Sequence, residues 1–175
     1  MRDREAYLMV PRGLILRGEG IRSEAMSEPF RHILVAYDGS SQARMALDRA
    51  IDMALTAACR LTILTVYQPP ILWSTGLAMP MEPPGEAEKE ALDKVLREAV
   101  QTAKERGISD VRGELLQDHP AEAILHFADF EHADLVVMGS RGQSATSRLL
   151  LGSVSDAVMH HARVAVLVVR PPVPG

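Results

Sequence analysis

From Arg31 onward the chain alternates between short apolar runs and longer stretches in which apolar residues recur every three or four positions. The runs "HILVAYD", "RLTILTVYQ", "DVRGELLQ", "ADLVVMG" and "RVAVLVVR" are short and largely apolar, most of them rich in β-branched residues, and read as strands, the third being the weakest. Between the first two, "SSQARMALDRAIDMALTA" places Ala43, Leu47, Ala50, Ile51, Ala54 and Leu55 at helical spacing. A charged helix follows from about Glu86 to Arg106 and stops at Gly107, a C-terminal cap. "DHPAEAILHFADF" is a third helix, with Asp118 as its cap and Pro120 in the first turn, where a missing N–H is tolerated. A fourth opens at Gly152-Ser153 and continues through about His161.

Strand and helix thus alternate five times and four times, which predicts a single open parallel sheet with helices on both faces. "HILVAY" and "DLVVM" are continuous apolar runs, as strands covered on both sides are. The domain spans 29–171 and 172–175 is a tail. Residues 1–28 read as a flexible extension: a short apolar piece near Leu14 to Leu16 is flanked by charges, without the apolar core and cleavage site of a signal peptide, and Met26 would open the domain naturally. "PPILWSTGLAMPMEPPG" is a long loop whose Met79–Met81 segment is most simply mobile.

Composition narrows the function. At 175 residues and 47% hydrophobic the chain suits one domain, and with 4% aromatics its core is aliphatic. A net charge of -4 and the lack of a basic stripe interleaved with aromatics disfavour nucleic acid. No apolar run reaches the roughly 20 residues of a membrane span. Cys59 is the one cysteine, which fits a reducing cytoplasm; it reads as a small buried hydrophobe.

In an open α/β sheet, ligands bind beyond the carboxyl ends of the strands, where strand order reverses. If "HILVAY" and "DLVVM" are neighbours, Asp38 and Gly139 converge there. The segment "MGSRGQSATSRLLLGSVSD", Met138 to Asp156, is dense in glycine and hydroxyls. Gly139 and Gly142 present no Cβ to a bulky anion. Gly152-Ser153 opens a helix whose first N–H groups lack partners and carry partial positive charge, so a phosphate there needs no basic side chain. Ser153 and Ser155 add hydroxyl donors, and Asp38 is placed to accept from a ribose. Each residue alone has a plainer reading: Ser153-x-x-Asp156 resembles a capping box, Asp38-Gly39 is a common turn pair, and Gly139 turns the chain out of a strand. The combination points to a nucleotide. A P-loop motif is absent, and "GEGIRS" lacks both the third glycine and the preceding strand of a dinucleotide fingerprint. His160 and His161 are adjacent and face different sides of a helix, His126 and His132 have no metal-ligand spacing, and Arg148 reads as a surface charge.

Gly139-x-x-Gly142, nine residues, then Gly152-Ser153 resembles the ATP-binding signature of the universal stress protein family, and "ILVAYDGS", "PAEAIL" and "VAVLVVR" resemble its other typical stretches. The likeness covers about Phe30 to Arg170. It implies a Rossmann-like sheet of the adenine nucleotide alpha hydrolase type, five parallel strands in the order 3-2-1-4-5. It implies bound ATP, with Mg or Mn at the phosphates. By position it implies Ala36, Tyr37 and Asp38 at the adenosine, Val66 at the adenine, Met138 and Gly139 on the base and ribose side, and Gly142, Gly152, Ser153, Val154 and Ser155 at the phosphates. Arg141 holds a place often filled by His or Arg. The last strand, Val164 to Val169, is implied as a homodimer seam. The function implied is that of an ATP-binding stress-response regulator with slow or no hydrolysis, since Asp38 at the ribose is remote from a γ-phosphate. A nucleotide-hydrolysing or adenylating enzyme, and a dimeric scaffold without nucleotide, are the alternatives.

Overall fold

A computed structural model of the chain describes residues 6–10, 14–17, 30–68, 85–142 and 151–171. Loop residues 69–84, Arg148 and the tail 172–175 lie outside the described residues. In chain order the elements are β1 (Ala6–Val10), β2 (Leu14–Arg17), β3 (His32–Ala36), α1 (Ser41–Ala57), β4 (Arg60–Tyr67), α2 (Glu86–Glu105), β5 (Val111–Gln117), α3 (Pro120–Phe130), β6 (Leu135–Gly139), α4 (Ser153–His161) and β7 (Ala165–Val169).

Strands β3 to β7 are parallel and lie in the order β5-β4-β3-β6-β7, which is 3-2-1-4-5 when these five are numbered along the chain. The apolar runs explain the middle of the sheet. In β3, Ile33 and Val35 face a layer built from α1 and α2, and Leu34 faces the layer of α3 and α4; all three are fully buried. Val136 and Val137 in β6 divide the same way. β5 sits at one edge and is only half-buried, which is why its sequence is the least apolar.

Helix ends follow local chemistry. Ser40 caps α1, its Oγ accepting from the Ala43 N–H at 3.1 Å. α2 gives way at Arg106 to Gly107, whose φ of 102° favours glycine. Arg106 reaches back to Asp48 and Asp52 on α1, at 2.9 and 2.6 Å. For α3 the sequence reading is corrected by one residue: His119 occupies the cap position and Pro120 the first turn. Asp118 accepts from the His119 N–H at 2.7 Å, so its carboxylate turns the chain into the helix instead of capping the amides beyond.

The segment before β3 also departs from expectation. Residues 6–10 and 14–17 form an antiparallel hairpin, and β1 continues the sheet by pairing antiparallel with β7, Ala6 opposite Val169 and Met9 opposite Val166. The reading of 1–28 as a flexible extension is therefore corrected for these two strands. The edge of β7 expected as a homodimer seam is occupied by β1 of the same chain. Two short apolar pieces separated by "PRG" carry the hairpin signal, and the charges around them obscured it.

Candidate functional site

The connections from β3 through β4 to β5 progress in one direction, and β6 returns to the other side of β3. The carboxyl ends of β3 and β6 therefore diverge into loops running opposite ways and leave a crevice between them. Ala36 lies opposite Met138 across this pair.

Three hydrogen bonds shape the crevice wall. Beyond β6, the Ser140 N–H donates to the Val169 carbonyl at 2.9 Å, and the Gly152 N–H donates to the Ser140 carbonyl at 2.8 Å. The Ser155 hydroxyl donates to that same carbonyl at 2.9 Å, with the Gly152 carbonyl equally near. This clasp seats the start of α4 on the exit of β6. Gly152 is the cap residue and offers no side chain, so the N–H groups of Ser153, Val154 and Ser155 enter the first turn with neither an intrahelical acceptor nor a side-chain cap. They form the positive end of the helix dipole.

On the facing side, Asp38 Oδ1 accepts from the Ser40 N–H at 3.0 Å, which orients the carboxylate. Its Oδ2 lies where Gly142 leaves room: a Cβ built on Gly142 would stand 2.5 Å from it. A Cβ on Gly139 would meet the Gln42 backbone carbonyl carbon at 2.9 Å, where α1 crosses the strand end. Within the protein, Gly139 makes room for α1 and Gly142 for the Asp38 carboxylate. The Ser155 hydroxyl is likewise buried and already donating to a carbonyl, so only its N–H remains for an anion.

The resulting cleft has a volume of about 600 Å³, within the range of small-molecule sites. The structure brings all the residues singled out in the sequence to its wall: Ala36, Tyr37, Asp38, Val66, Met138, Gly139, Arg141, Gly142, Gly152, Ser153, Val154 and Ser155. Sequence reasoning missed Ala43, Leu64, Gln68, Glu88, Leu92, Pro120, Ile124 and Leu151, which complete it. Their signals are weak but physical. Leu64 and Val66 share one face of β4 by alternation and Gln68 follows the strand's end, while Glu88 with Leu92 and Pro120 with Ile124 are one helical turn apart. The polar amides and the apolar slot of Leu64, Val66 and Ile124 belong to one cavity. Such a cavity can hold a molecule that combines an anionic group, hydroxyls and a flat apolar part.

A buried polar network lies at the opposite end of the sheet. His32 opens β3 and is 5% exposed. Its Nδ1–H donates to the Glu131 carbonyl at 3.1 Å, so its Nε2 accepts from the Thr62 hydroxyl at 2.8 Å. The Arg112 Nε–H donates to Thr62 at 3.2 Å, and Arg112 pairs with Glu131 and lies over the Phe127 ring. Burial first, then the Arg60 and Arg112 charges, lowers the His32 pKa below its ordinary 6.5, against the pull of Glu131. Burial also raises the Cys59 thiol, which favours its neutral form. His160 and His161 each turn Nδ1 toward a carbonyl of their own helix, Asp156 and Ala157.

Comparison with known proteins adds an independent line. The sequence profile of the universal stress protein family matches residues 29–170. A universal stress protein of Thermus aquaticus, encoded in the 3' region of a QAH/OAS sulfhydrylase, is 38% identical over 141 residues, covering 81% of this chain and 99% of its own. Among solved structures, a universal stress protein in complex with cAMP is 29% identical with a TM-score of 0.63, over 82% of this chain and 98% of its own. The universal stress protein UspA from Lactobacillus plantarum is 25% identical with a TM-score of 0.70, over 82% and 99%.

Proposed function

The chain belongs to the universal stress protein family, and from that premise we propose that its cleft binds an adenine nucleotide, ATP foremost, as the ligand of a cytoplasmic stress-response regulator with slow or no turnover. The observation that carries this reading is the polarity of one cavity. Its wall carries the uncapped amides of Ser153, Val154 and Ser155, the Asp38 carboxylate and the apolar side chains of Leu64, Val66 and Ile124. Phosphates suit the first, ribose hydroxyls the second and a purine face the third. The relative that holds cAMP supports the ligand class.

In this reading the helix N-terminus neutralises phosphate charge without a lysine, and Arg141 on the cleft wall adds a cation. Asp38, held by Ser40, accepts from the ribose. Tied to that sugar, it does not serve to activate water, from which slow turnover follows. Mg or Mn would arrive on the phosphates. Among the described residues no group of three or more His, Cys, Asp or Glu side chains is arranged to hold a metal, so the phosphate oxygens would supply most of its ligands.

The test is to purify the chain, denature it, and identify released nucleotide by mass spectrometry, followed by titration of the stripped protein with ATP. Stoichiometric adenine nucleotide or sub-millimolar ATP affinity is the expected result. The absence of both overturns the reading, and rapid multiple-turnover hydrolysis transfers it to an enzyme.

A further inference from the structure

The buried network around His32 and the cleft share one helix. Pro120, Ile124, Phe127 and Glu131, the last just past the end of α3, follow one another at four, three and four residues and so lie on one stripe. The first two line the cleft. The last two hold the network: the Phe127 ring lies against the Arg112 guanidinium, the Glu131 carboxylate pairs with Arg112, and the Glu131 carbonyl accepts from His32. Between these ends Ile124 and Phe127 share an apolar layer with the buried Leu34 and Leu64. α3 has eleven residues and is about 16 Å long, a stiff connection between network and cleft wall.

The hydrogen bonds of the network close only around a neutral imidazole. With Nδ1–H donating to Glu131, Nε2 must accept, and the one hydroxyl hydrogen of Thr62 is given to it across 2.8 Å. The Thr62 oxygen in turn accepts from the Arg112 Nε–H at 3.2 Å. A proton on Nε2 sets donor against donor, and Thr62 would have to accept from two cations at once. The surrounding charges give no relief. Arg60 on β4 and Arg112 on β5 oppose a further positive charge. The carboxylates are engaged: Glu131 and Glu114 with Arg112, Asp110 with Arg60, and Asp134 with the N–H groups of Arg31 and His32. The charged ring is accommodated by withdrawing Arg112 from Thr62. Arg112 is also what Phe127 and the Glu131 carboxylate hold, so its withdrawal removes the polar anchor at the end of α3.

We propose that this network is a proton-sensitive latch on α3, which seats the helix while His32 is neutral and whose release on acidification loosens the cleft wall at Pro120 and Ile124 and weakens ligand binding. The effect on binding rests on the nucleotide reading of the cleft; the latch itself does not. Coupling is reciprocal, so a ligand touching Pro120 and Ile124 also resists protonation of His32.

The natural full chain and His32→Gln are compared from pH 8 to 5. The probe is cAMP, which lacks the terminal phosphate monoester that titrates near pH 6 in ATP. Calorimetric affinity for cAMP is expected to fall about fivefold or more further in the natural chain than in the variant. His119, which contacts Gln68 of the cleft wall, is present in both proteins, so its effect cancels. Amide hydrogen exchange without ligand reads the latch directly. Corrected for intrinsic rate, opening at Phe127 to Phe130 should rise about fivefold or more on acidification, relative to Val136 and Val137 in β6. Equal pH dependence of affinity in the two proteins overturns the proposal. So does exchange in α3 that follows β6 at every pH, because the opening is then global. If neither cAMP nor ATP binds at pH 8, the nucleotide reading falls together with the effect on binding, and the exchange data alone uphold or overturn the latch. If His32→Gln does not fold, the ring NMR titration of His32 in the natural chain decides: its midpoint must coincide with that of the affinity loss, and separate midpoints overturn the proposal.

Discussion

Replacing Gly142 by Ala tests the link between the glycine loop and Asp38. A Cβ at Gly142 would stand 2.5 Å from Asp38 Oδ2, against about 3.3 Å for an ordinary close C···O contact. One side must yield by about 0.8 Å. Asp38 is the softer partner, and moving it strains the 3.0 Å hydrogen bond from the Ser40 N–H. A hydrogen bond to a carboxylate contributes about 1.5 to 3 kcal/mol, less when half-exposed, so about 1 to 2 kcal/mol of stability should be lost. If the same carboxylate holds the ribose, nucleotide affinity should fall by roughly tenfold. The assay is a double-mutant cycle with Asp38→Ala, followed by urea unfolding and ATP titration. In the Asp38→Ala background the added methyl meets no carboxylate, so its cost in stability and in affinity should nearly vanish. An undiminished cost there, or no cost in the natural background, refutes the reasoning.

Other consequences concern the frame that holds the cleft. Ser40→Ala removes the α1 cap beside Asp38 and should lower stability by about 1 kcal/mol, read from the urea midpoint at unchanged slope. Ile51→Ala, at a fully buried position of α1, should cost about 2 to 5 kcal/mol in the same assay. His32 has a lowered pKa when folded and an ordinary one, near 6.5, when unfolded, so the unfolded chain takes up a proton that the folded chain resists. Its stability contribution is therefore complete above about pH 6.5 and declines as pH falls through 6.5 toward the folded value, by at most about 1.4 kcal/mol per pH unit. Urea midpoints from pH 8 to 5 should fall more steeply for the natural chain than for His32→Gln; equal slopes would contradict the network described.

What the sequence revealed and what it concealed have different physical origins. β3 and β6 were legible because strands covered on both faces must be apolar throughout, and "HILVA" and "LVVMG" have no other sensible location. Once their adjacency is granted, the convergence of Asp38 with the start of α4 follows from topology alone. The purposes of single residues were less accessible. Gly139 and Gly142 stand out as glycines, but what each makes room for, Gln42 or the Asp38 carboxylate, depends on neighbours far away along the chain. Ser155 looks like a ligand hydroxyl until its acceptor, the Ser140 carbonyl, is located. The apolar lining from α2 and α3 depends on how those helices lie over the sheet. The hairpin escaped because nine strand residues in two pieces carry little periodic signal, and their partner strand lies about 160 positions later.

The central claim is that three uncapped amides at the start of α4 receive the phosphates of an adenine nucleotide. It is tested most directly by backbone amide NMR of the isotope-labelled full chain during titration with ATP. The account predicts saturable shifts largest at Ser153, Val154 and Ser155, accompanied by shifts around Asp38 and Val66. Saturable shifts that leave those three amides unmoved, or that gather at the His32 end of the sheet, would contradict it.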